Sequence, residues 1–125
     1  MHEFSICRGL VDAVLSELEA LDPPPLRVRE VRVVAGAMHQ LVPEFLETAY
    51  AVLTRDTAAD GSRLRLVVRP VSVTCAACAW NGMIEPPFFQ CRQCGSSDIS
   101  IQSGNELYLD RLTIDEPDVE RRQTG

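Results

Sequence analysis

The stretch from Val73 to Asp98, VTCAACAWNGMIEPPFFQCRQCGSSD, decides how this chain is built. It carries four cysteines in the spacing C-x2-C-x12-C-x2-C, with a glycine and two adjacent prolines between the pairs and no helical period. Each C-x-x-C places two thiolates on one tight turn. Two such turns facing each other supply four soft ligands in a tetrahedron, which Zn(II) prefers. The spacing therefore predicts a zinc site formed by Cys75, Cys78, Cys91 and Cys94.

Two other interpretations of these cysteines are weaker. A thioredoxin-like redox pair needs a single C-x-x-C at the start of a helix, and chance pairs of buried thiols need no regular spacing. A site with four protein ligands leaves no open coordination position, so we expect a structural zinc rather than a catalytic one. The fifth cysteine, Cys7, falls on an apolar helical stripe and is expected to be a small buried hydrophobe.

Composition limits the classes of partner and compartment. With 125 residues, of which 46% are hydrophobic, the chain can bury one modest core plus a small satellite held by a metal. A net charge of -6 argues against a surface that neutralises phosphates, so nucleic acid is not an expected partner. No stretch is apolar enough to span a bilayer, and the first residues lack the features of a signal peptide. We expect a soluble, cytoplasmic protein that does not associate with membranes.

The residues before the cysteine stretch follow an α/β pattern. Apolar residues from Phe4 to Leu21 recur at spacings of three and four, which predicts an amphipathic helix ending at the DPPP of Asp22–Pro25. Apolar and charged residues alternate along residues 26–36, as in a strand. The alternation shifts by one position near Arg29 and Glu30, which indicates a β-bulge. A second helix is predicted from Pro43 to Leu53. Residues 64–70 have the pattern of a strand. Because Pro70 has no backbone N–H to donate, this strand should lie at the edge of a sheet or end at the proline.

A bent strand is predicted after the cysteines, in NELYLDRLTI, residues 105–114. We expect it to return to the first sheet. The predicted class is α+β, a small mixed α/β domain of two helices on a three-stranded sheet, with an inserted four-cysteine zinc-ribbon module. The α/β domain takes in residues 1–73 and the returning strand 105–116, and the module takes in 74–104. The tail, 117–125, has little to bury and is expected to be disordered.

Several segments together resemble one family. They are the N-terminal MHE followed by an amphipathic helix, VPEFLETAYAVLT (42–54), the paired C-x-x-C stretch and SGNELYLDRLTID (103–115). The combination resembles the HypA-type hydrogenase nickel-incorporation family from Met1 to about Glu116. Two features depart from the family pattern: the first cysteine turn reads CAACA, without a glycine after the second cysteine, and His39 has no counterpart role.

The resemblance implies a function and a set of sites. It implies that Met1, His2 and Glu3 bind nickel and that the four cysteines bind zinc. It also implies partners, namely a HypB-type GTPase and the large subunit of [NiFe]-hydrogenase, which receives the nickel. Urease maturation proteins are further possible partners, because some members of the family serve urease. The N-terminal domain would then be the nickel-binding domain.

The chemistry of the N-terminus supports nickel independently. The α-amino group of Met1, the backbone nitrogen of His2 and the Nδ1 atom of His2 can close two adjacent chelate rings in one plane, and Ni(II) and Cu(II) favour such square-planar nitrogen sites. The fourth position is left to the amide of Glu3, the carboxylate of Glu3 or a donor from a partner. The alternatives are a chance Met-His start with His2 in solvent and a Glu3 that only offsets the helix dipole.

Two classes of function fit the sequence, and a third does not. A nickel metallochaperone is favoured, and the alternative is a zinc-ribbon adaptor between proteins that binds no nickel. An enzyme is not expected, because the zinc would have no open position, the two histidines have no apparent catalytic partners and no phosphate-binding G-x-x-x-x-G-K-[ST] motif is present. Three aromatic residues, Trp80, Phe88 and Phe89, could stack on bases but are expected to form the small core of the module.

Overall fold

A computed structural model of the chain describes residues 2–25 and 27–115. In chain order its elements are α1 (His2–Glu19), β1 (Arg27–Gly36), a 3-10 turn (Ala37–His39), α2 (Pro43–Leu53), β2 (Arg63–Arg69), β3 (Val71–Cys75), β4 (Asn81–Ile84), β5 (Ile99–Ser103) and β6 (Leu107–Asp115). The strands form two sheets of three, in the orders β2-β1-β6 and β4-β3-β5. The predicted α+β class with two helices is confirmed. No helix among the described residues is long and apolar enough to cross a membrane.

Helix α1 forms because its apolar residues recur on one side, and that side is buried: Cys7, Leu10, Val11, Val14 and Leu18. The helix ends at Glu19, two residues before the end of the predicted pattern, and Leu21 is 38% exposed. The amides of Ala20 and Leu21 bond to carbonyls only three residues earlier, which tightens the last turn. The proline at position 23 disfavours helical geometry in the residue before it, so the helix cannot continue.

The first of two compact units takes in the described residues of 1–33, 41–66 and 109–125. Its core is formed by the apolar sides of both helices, which pack against the sheet. Val28 and Val31 are three residues apart on β1, yet both lie in this core, as the shift in the apolar-charged alternation of the sequence requires. Tyr50 is buried there, and its hydroxyl lies 2.6 Å from the Ser62 hydroxyl. β2 lies at an edge of its sheet, as Pro70 predicts, and β6 lies beside β1.

The second unit takes in residues 34–40 and 67–108, and so includes all four clustered cysteines. In its sheet β3 pairs antiparallel with both β4 and β5. Three buried residues, Val71, Val73 and Ile84, form a small core against which Trp80 and Phe89 pack, whereas Phe88 is 73% exposed. The sequence pattern did not predict these three strands, β3, β4 and β5. The predicted tail, 117–125, lies outside the described residues.

The backbones at Gly36 and Gly104 approach each other within this unit. The Gly36 amide donates to the Glu106 carbonyl at 2.7 Å, and the Met38 amide donates to the Gly104 carbonyl at 2.9 Å. A Cβ atom at Gly36 would collide with the Gly104 carbonyl and approach the Asn105 nitrogen to 2.6 Å. Only glycine therefore fits at position 36 without moving a backbone segment.

We predict that Gly36→Ala lowers the free energy of unfolding by about 3 kcal/mol, because the new methyl group meets backbone rather than a flexible side chain. The measurement is urea unfolding followed by circular dichroism. Gly9→Ala is the control: a Cβ there meets nothing within 4 Å, and alanine in a helix should stabilise by up to about 1 kcal/mol. A Gly36→Ala protein as stable as the wild type would contradict the close approach.

Candidate metal centres

The four predicted zinc ligands come together at one end of the second sheet. Cys75 is the last residue of β3, and Cys78, Cys91 and Cys94 lie in the two turns that follow β3 and precede β5. The sulfur atoms of Cys75 and Cys94 are 3.7 Å apart, those of Cys78 and Cys91 are 3.6 Å apart, and all four lie within 4.8 Å of one another. A zinc–sulfur bond of about 2.3 Å implies tetrahedron edges of about 3.8 Å. The thiols thus form a four-cysteine metal-binding site of the size that a tetrahedral ion requires.

The two cysteine turns share one hydrogen-bond pattern. In the first, the Cys75 amide donates to the Trp80 carbonyl, and the Cys75 carbonyl accepts from Ala79, at 2.8 and 2.9 Å. In the second, Cys91 makes the same two bonds with the residues five and four positions later, also at 2.8 and 2.9 Å. This repetition arises because each C-x-x-C must wrap its backbone around the same ion. The hydrogen bonds orient the two turns so that their four sulfur atoms point to one centre.

The residue after the second cysteine of each turn has a positive φ, +66° at Ala79 and +80° at Gly95. Glycine adopts this left-handed conformation freely, whereas the Cβ of alanine is strained there. The departure from the family pattern at CAACA is therefore a strained residue in an otherwise regular turn.

We predict that Ala79→Gly stabilises the second unit by about 0.5–1 kcal/mol, and that Gly95→Ala destabilises it by a similar amount. The measurement is the thermal midpoint of the two variants with metal bound. Opposite signs for the two substitutions are the expected result, and a destabilised Ala79→Gly would show that the two turns are not equivalent.

The clustered thiols do not share one pKa. Without a metal, the pKa of Cys91 is lowered, whereas the pKa values of Cys78 and Cys94, which backbone donors act to lower, are raised by burial and by hydrogen bonds between the sulfur atoms. Burial acts to raise the pKa of Cys91, but amide donors from Cys94 and Gln93, at 3.4 and 3.3 Å from its sulfur, outweigh burial and lower that pKa to about 6. A thiolate is the form that binds a metal. Cys7 is fully buried on α1, where burial raises its pKa to about 11 and its thiol faces the Leu46 carbonyl. Cys7 is thus a core residue, as the sequence indicates.

The other predicted site is the N-terminus, of which Met1 lies outside the described residues. His2 is the first residue of α1, and its side chain is 55% exposed. Its Nδ1 atom lies 3.8 Å from a carboxylate oxygen of Glu3. The imidazole therefore lies at the N-terminal end of α1, exposed to solvent and next to the carboxylate of Glu3.

Glu3 is buried, with 6% of its surface exposed. Its carboxylate accepts a hydrogen bond from the amide of Val42, one residue before α2, at 3.0 Å. This bond, together with one from its own amide, lowers the pKa of the Glu3 carboxyl. The anion thus ties the start of α1 to the start of α2. The sequence analysis missed Val42, because a backbone donor leaves no signal in the residue type.

His39 lies in the 3-10 turn of the second unit, where its Nε2 atom donates to the Asn105 carbonyl at 3.1 Å. No role could be assigned to this histidine from the sequence. The bond accounts for its position without a metal.

Comparisons with known proteins identify the family. The family model described as "Hydrogenase/urease nickel incorporation, metallochaperone, hypA" matches residues 1–114. Hydrogenase maturation factor HypA of Nitrosospira multiformis is 36% identical over 109 residues, covering 87% of this chain and 93% of the relative. HypA of Alkalilimnicola ehrlichii is 34% identical over 115 residues, covering 92% of this chain and all of the relative.

The fold agrees with that assignment. The solution structure of the Ni metallochaperone HypA from Helicobacter pylori superposes with a TM-score of 0.60 at 20% identity, covering 92% of this chain and 98% of that one. The family consists of metallochaperones rather than enzymes, which confirms the expectation that this chain catalyses no reaction of its own. This chain belongs to the HypA family of hydrogenase and urease nickel-incorporation metallochaperones.

Proposed function

We propose that the chain binds one Ni(II) ion through Met1, His2 and Glu3 and delivers it to the large subunit of [NiFe]-hydrogenase. In this proposal a HypB-type GTPase hydrolyses the nucleotide, the work takes place in the cytoplasm, and urease maturation proteins are further partners. The observation that carries the proposal is that α1 begins at His2, so that the backbone and imidazole nitrogens of His2 lie at a helix terminus.

At a helix terminus, backbone amides lie outside the helical hydrogen-bond pattern. The first four amides of an α-helix have no acceptor within the helix, so nickel can replace the amide proton of His2 without breaking a helical hydrogen bond. The amine of Met1, this amide and the imidazole of His2 then supply three donors of the square-planar set that Ni(II) favours. The amide of Glu3, its carboxylate or a partner supplies the fourth.

The same terminus also weakens the hold on the ion. The helix dipole places a partial positive charge of roughly half an elementary charge at the N-terminus, which opposes a divalent cation. The buried carboxylate of Glu3 offsets part of that charge. For a protein that must release its cargo, a site with one exchangeable position and an opposing dipole is suited to transfer.

We propose Zn(II) as the ion of the four-cysteine site. The donor set is entirely sulfur and its spacing matches a tetrahedron, which fits zinc. When bound, zinc supplies four fixed bonds that join the two cysteine turns. Cys75 and Cys91 are buried and Cys94 is exposed, so the ion would lie near the surface of the second unit. Because four cysteines fill a tetrahedral ion, no coordination position is left for a substrate.

The proposal predicts a nickel-dependent defect in cells. Deleting the gene should abolish nickel-hydrogenase activity in nickel-limited medium, and excess nickel should restore it in part. Complementation with the wild type should restore activity, whereas complementation with His2→Ala should not. His39→Ala is the matched control, because it removes the second of the two histidines and should leave maturation intact.

Hydrogenase and urease activities are assayed separately, which identifies the recipient of the nickel. Full activity of both enzymes in the deletion strain under nickel limitation would contradict nickel delivery. Normal maturation with His2→Ala would favour the alternative, a zinc-ribbon adaptor that binds no nickel.

A further inference from the structure

The outer face of the sheet β2-β1-β6 is rich in arginine. Residues whose side chains point to the core, such as Val28, Val31 and Leu64, alternate with arginines on the opposite face. Within the first unit that face carries Arg27, Arg29, Arg32, Arg63, Arg65 and Arg111. We name this surface the arginine face. All of its arginines are exposed except Arg32, which is half-buried.

Ion pairs across β1 and β6 show that these positions share one face. The Nε atoms of Arg27 and Arg29 lie 3.2 and 2.5 Å from the carboxylate of Asp115, and Arg32 lies 3.4 Å from Asp110. The carboxylates of Asp110 and Asp115 therefore already form ion pairs with arginines of this face. Together with Glu30 they leave the arginine face with a clear excess of positive charge.

The helical side of the same unit has the opposite sign. The exposed charged residues of α1 and α2 are Arg8 and the acidic residues Asp12, Glu17, Glu19, Glu44 and Glu47. The unit thus carries most of its cations on the sheet and most of its anions on the helices, with Glu30 and Glu47 bordering the depression that Arg63 and Arg65 also line, although the whole chain has a net charge of -6. Solubility alone requires no such separation, since interspersed charges serve it equally well.

The arginines of β2 also stand on an exposed edge. β2 is the outer strand of its sheet, so one row of its backbone donors and acceptors faces away from β1. Arg63 and Arg65 are two positions apart on that strand, which places them about 6.8 Å apart along it. Carboxylates on alternate residues of an extended peptide have the same spacing.

We propose that the arginine face docks an extended acidic segment of a partner protein alongside β2. Guanidinium groups bind carboxylates in a planar, two-point geometry, which gives orientation as well as attraction. A nucleic acid fits less well, because its continuous phosphate charge would also meet the carboxylates of Asp110 and Asp115 within the face. None of the arginines of this face belongs to either proposed set of metal ligands, so the proposal depends on neither metal.

The test uses the full chain and a synthetic peptide of alternating residues, acetyl-(Glu-Thr)5-amide, followed by amide chemical shifts at low ionic strength. The expected result is saturable shifts in β1 and β2, an affinity that falls as salt is added, and no binding of the matching Lys-Thr peptide. Arg63→Glu combined with Arg65→Glu should weaken binding by about tenfold or more, since both pairing partners are reversed in sign. Arg63→Gln with Arg65→Gln provides a milder variant if the first fails to fold.

The control changes the same net charge elsewhere, by Arg8→Glu with Arg55→Glu, both exposed and outside the sheet. This protein should bind the peptide within about twofold of the wild type. Equal losses in the two double variants, or no saturable shift in the wild type, would overturn the proposal. A ten-nucleotide oligothymidylate that binds as tightly as the peptide would also overturn it, as would self-association detected by light scattering at the same concentrations.

Discussion

Replacing Cys75, Cys78, Cys91 or Cys94 with serine is expected to unfold the second unit and to release its metal. The hydrophobic cluster beside the metal site in that unit has three buried members, Val71, Val73 and Ile84, with Trp80 and Phe89 packed against them. The burial of the three contributes roughly 5–9 kcal/mol before the entropy of ordering the chain is subtracted. Structural zinc sites supply an apparent binding free energy of about 10–16 kcal/mol, so the metal is the larger contribution. Without it, residues 67–108 should lose their fixed structure.

The measurement is the zinc content of purified protein together with an amide correlation spectrum. The wild type should hold about one zinc per chain. The variant with all four cysteines changed to serine should hold none and should lose dispersed signals from β3, β4 and β5. Signals from α1 should persist, because its core residues belong to the first unit. Cys7→Ala is the control: it also removes a thiol but should keep the zinc.

Retention of zinc by the quadruple variant would refute the assignment of the ligands. A metal-free protein with an unchanged spectrum would refute the structural role instead. The two outcomes are separate, because the first concerns where the ion binds and the second concerns what its binding stabilises.

Much of the first unit could be predicted from the sequence, because long periodic segments carry a strong signal. Helix α2 has the bounds that its pattern predicted, Pro43–Leu53, with the proline in its first turn. The shift in the alternation at β1 also marked two valines that share the core. The paired spacing of the cysteines predicted their cluster, since two tight turns can meet only in a few ways.

The second sheet could not be predicted in the same way. β4 has only four residues, Asn81–Ile84, and includes Gly82, which leaves room for the Trp80 ring. Such a strand has neither the length nor the alternation that marks a strand in sequence. The hydrogen bond from Val42 to Glu3 was missed for another reason: its donor is a backbone amide, and every residue but proline has one.

Changing the N-terminus is expected to have the largest effect on nickel. In the proposed site the amine of Met1 is one of the nickel donors. The chelate rings are then counted from the nitrogen of Met1. One added residue moves the histidine to the third position and changes the rings. His2→Ala, N-terminal acetylation and an uncut N-terminal tag should each lower the affinity by about a hundredfold or more, since each removes or displaces a nitrogen donor.

The affinity should also fall as the pH drops below neutrality. The α-amino group of a peptide ordinarily has a pKa of about 7.7–8.0. Protons therefore compete with nickel for the amine, for the imidazole and for any amide that the metal deprotonates. A tag at the C-terminus should have no effect on binding at any pH, which makes it the control for the N-terminal extension.

The central claim, that the N-terminus is itself the nickel ligand set, is tested most directly by calorimetric titration of nickel into two proteins. One begins at Met1 and the other has a single residue added before it, and the d-d absorption of the bound nickel is recorded for both. We expect the protein that begins at Met1 to bind one nickel per chain. The extended protein should bind nickel about a hundredfold more weakly or give a different d-d spectrum. Equal affinities and identical spectra for the two proteins would show that the amine of Met1 is not a ligand, and would contradict the account.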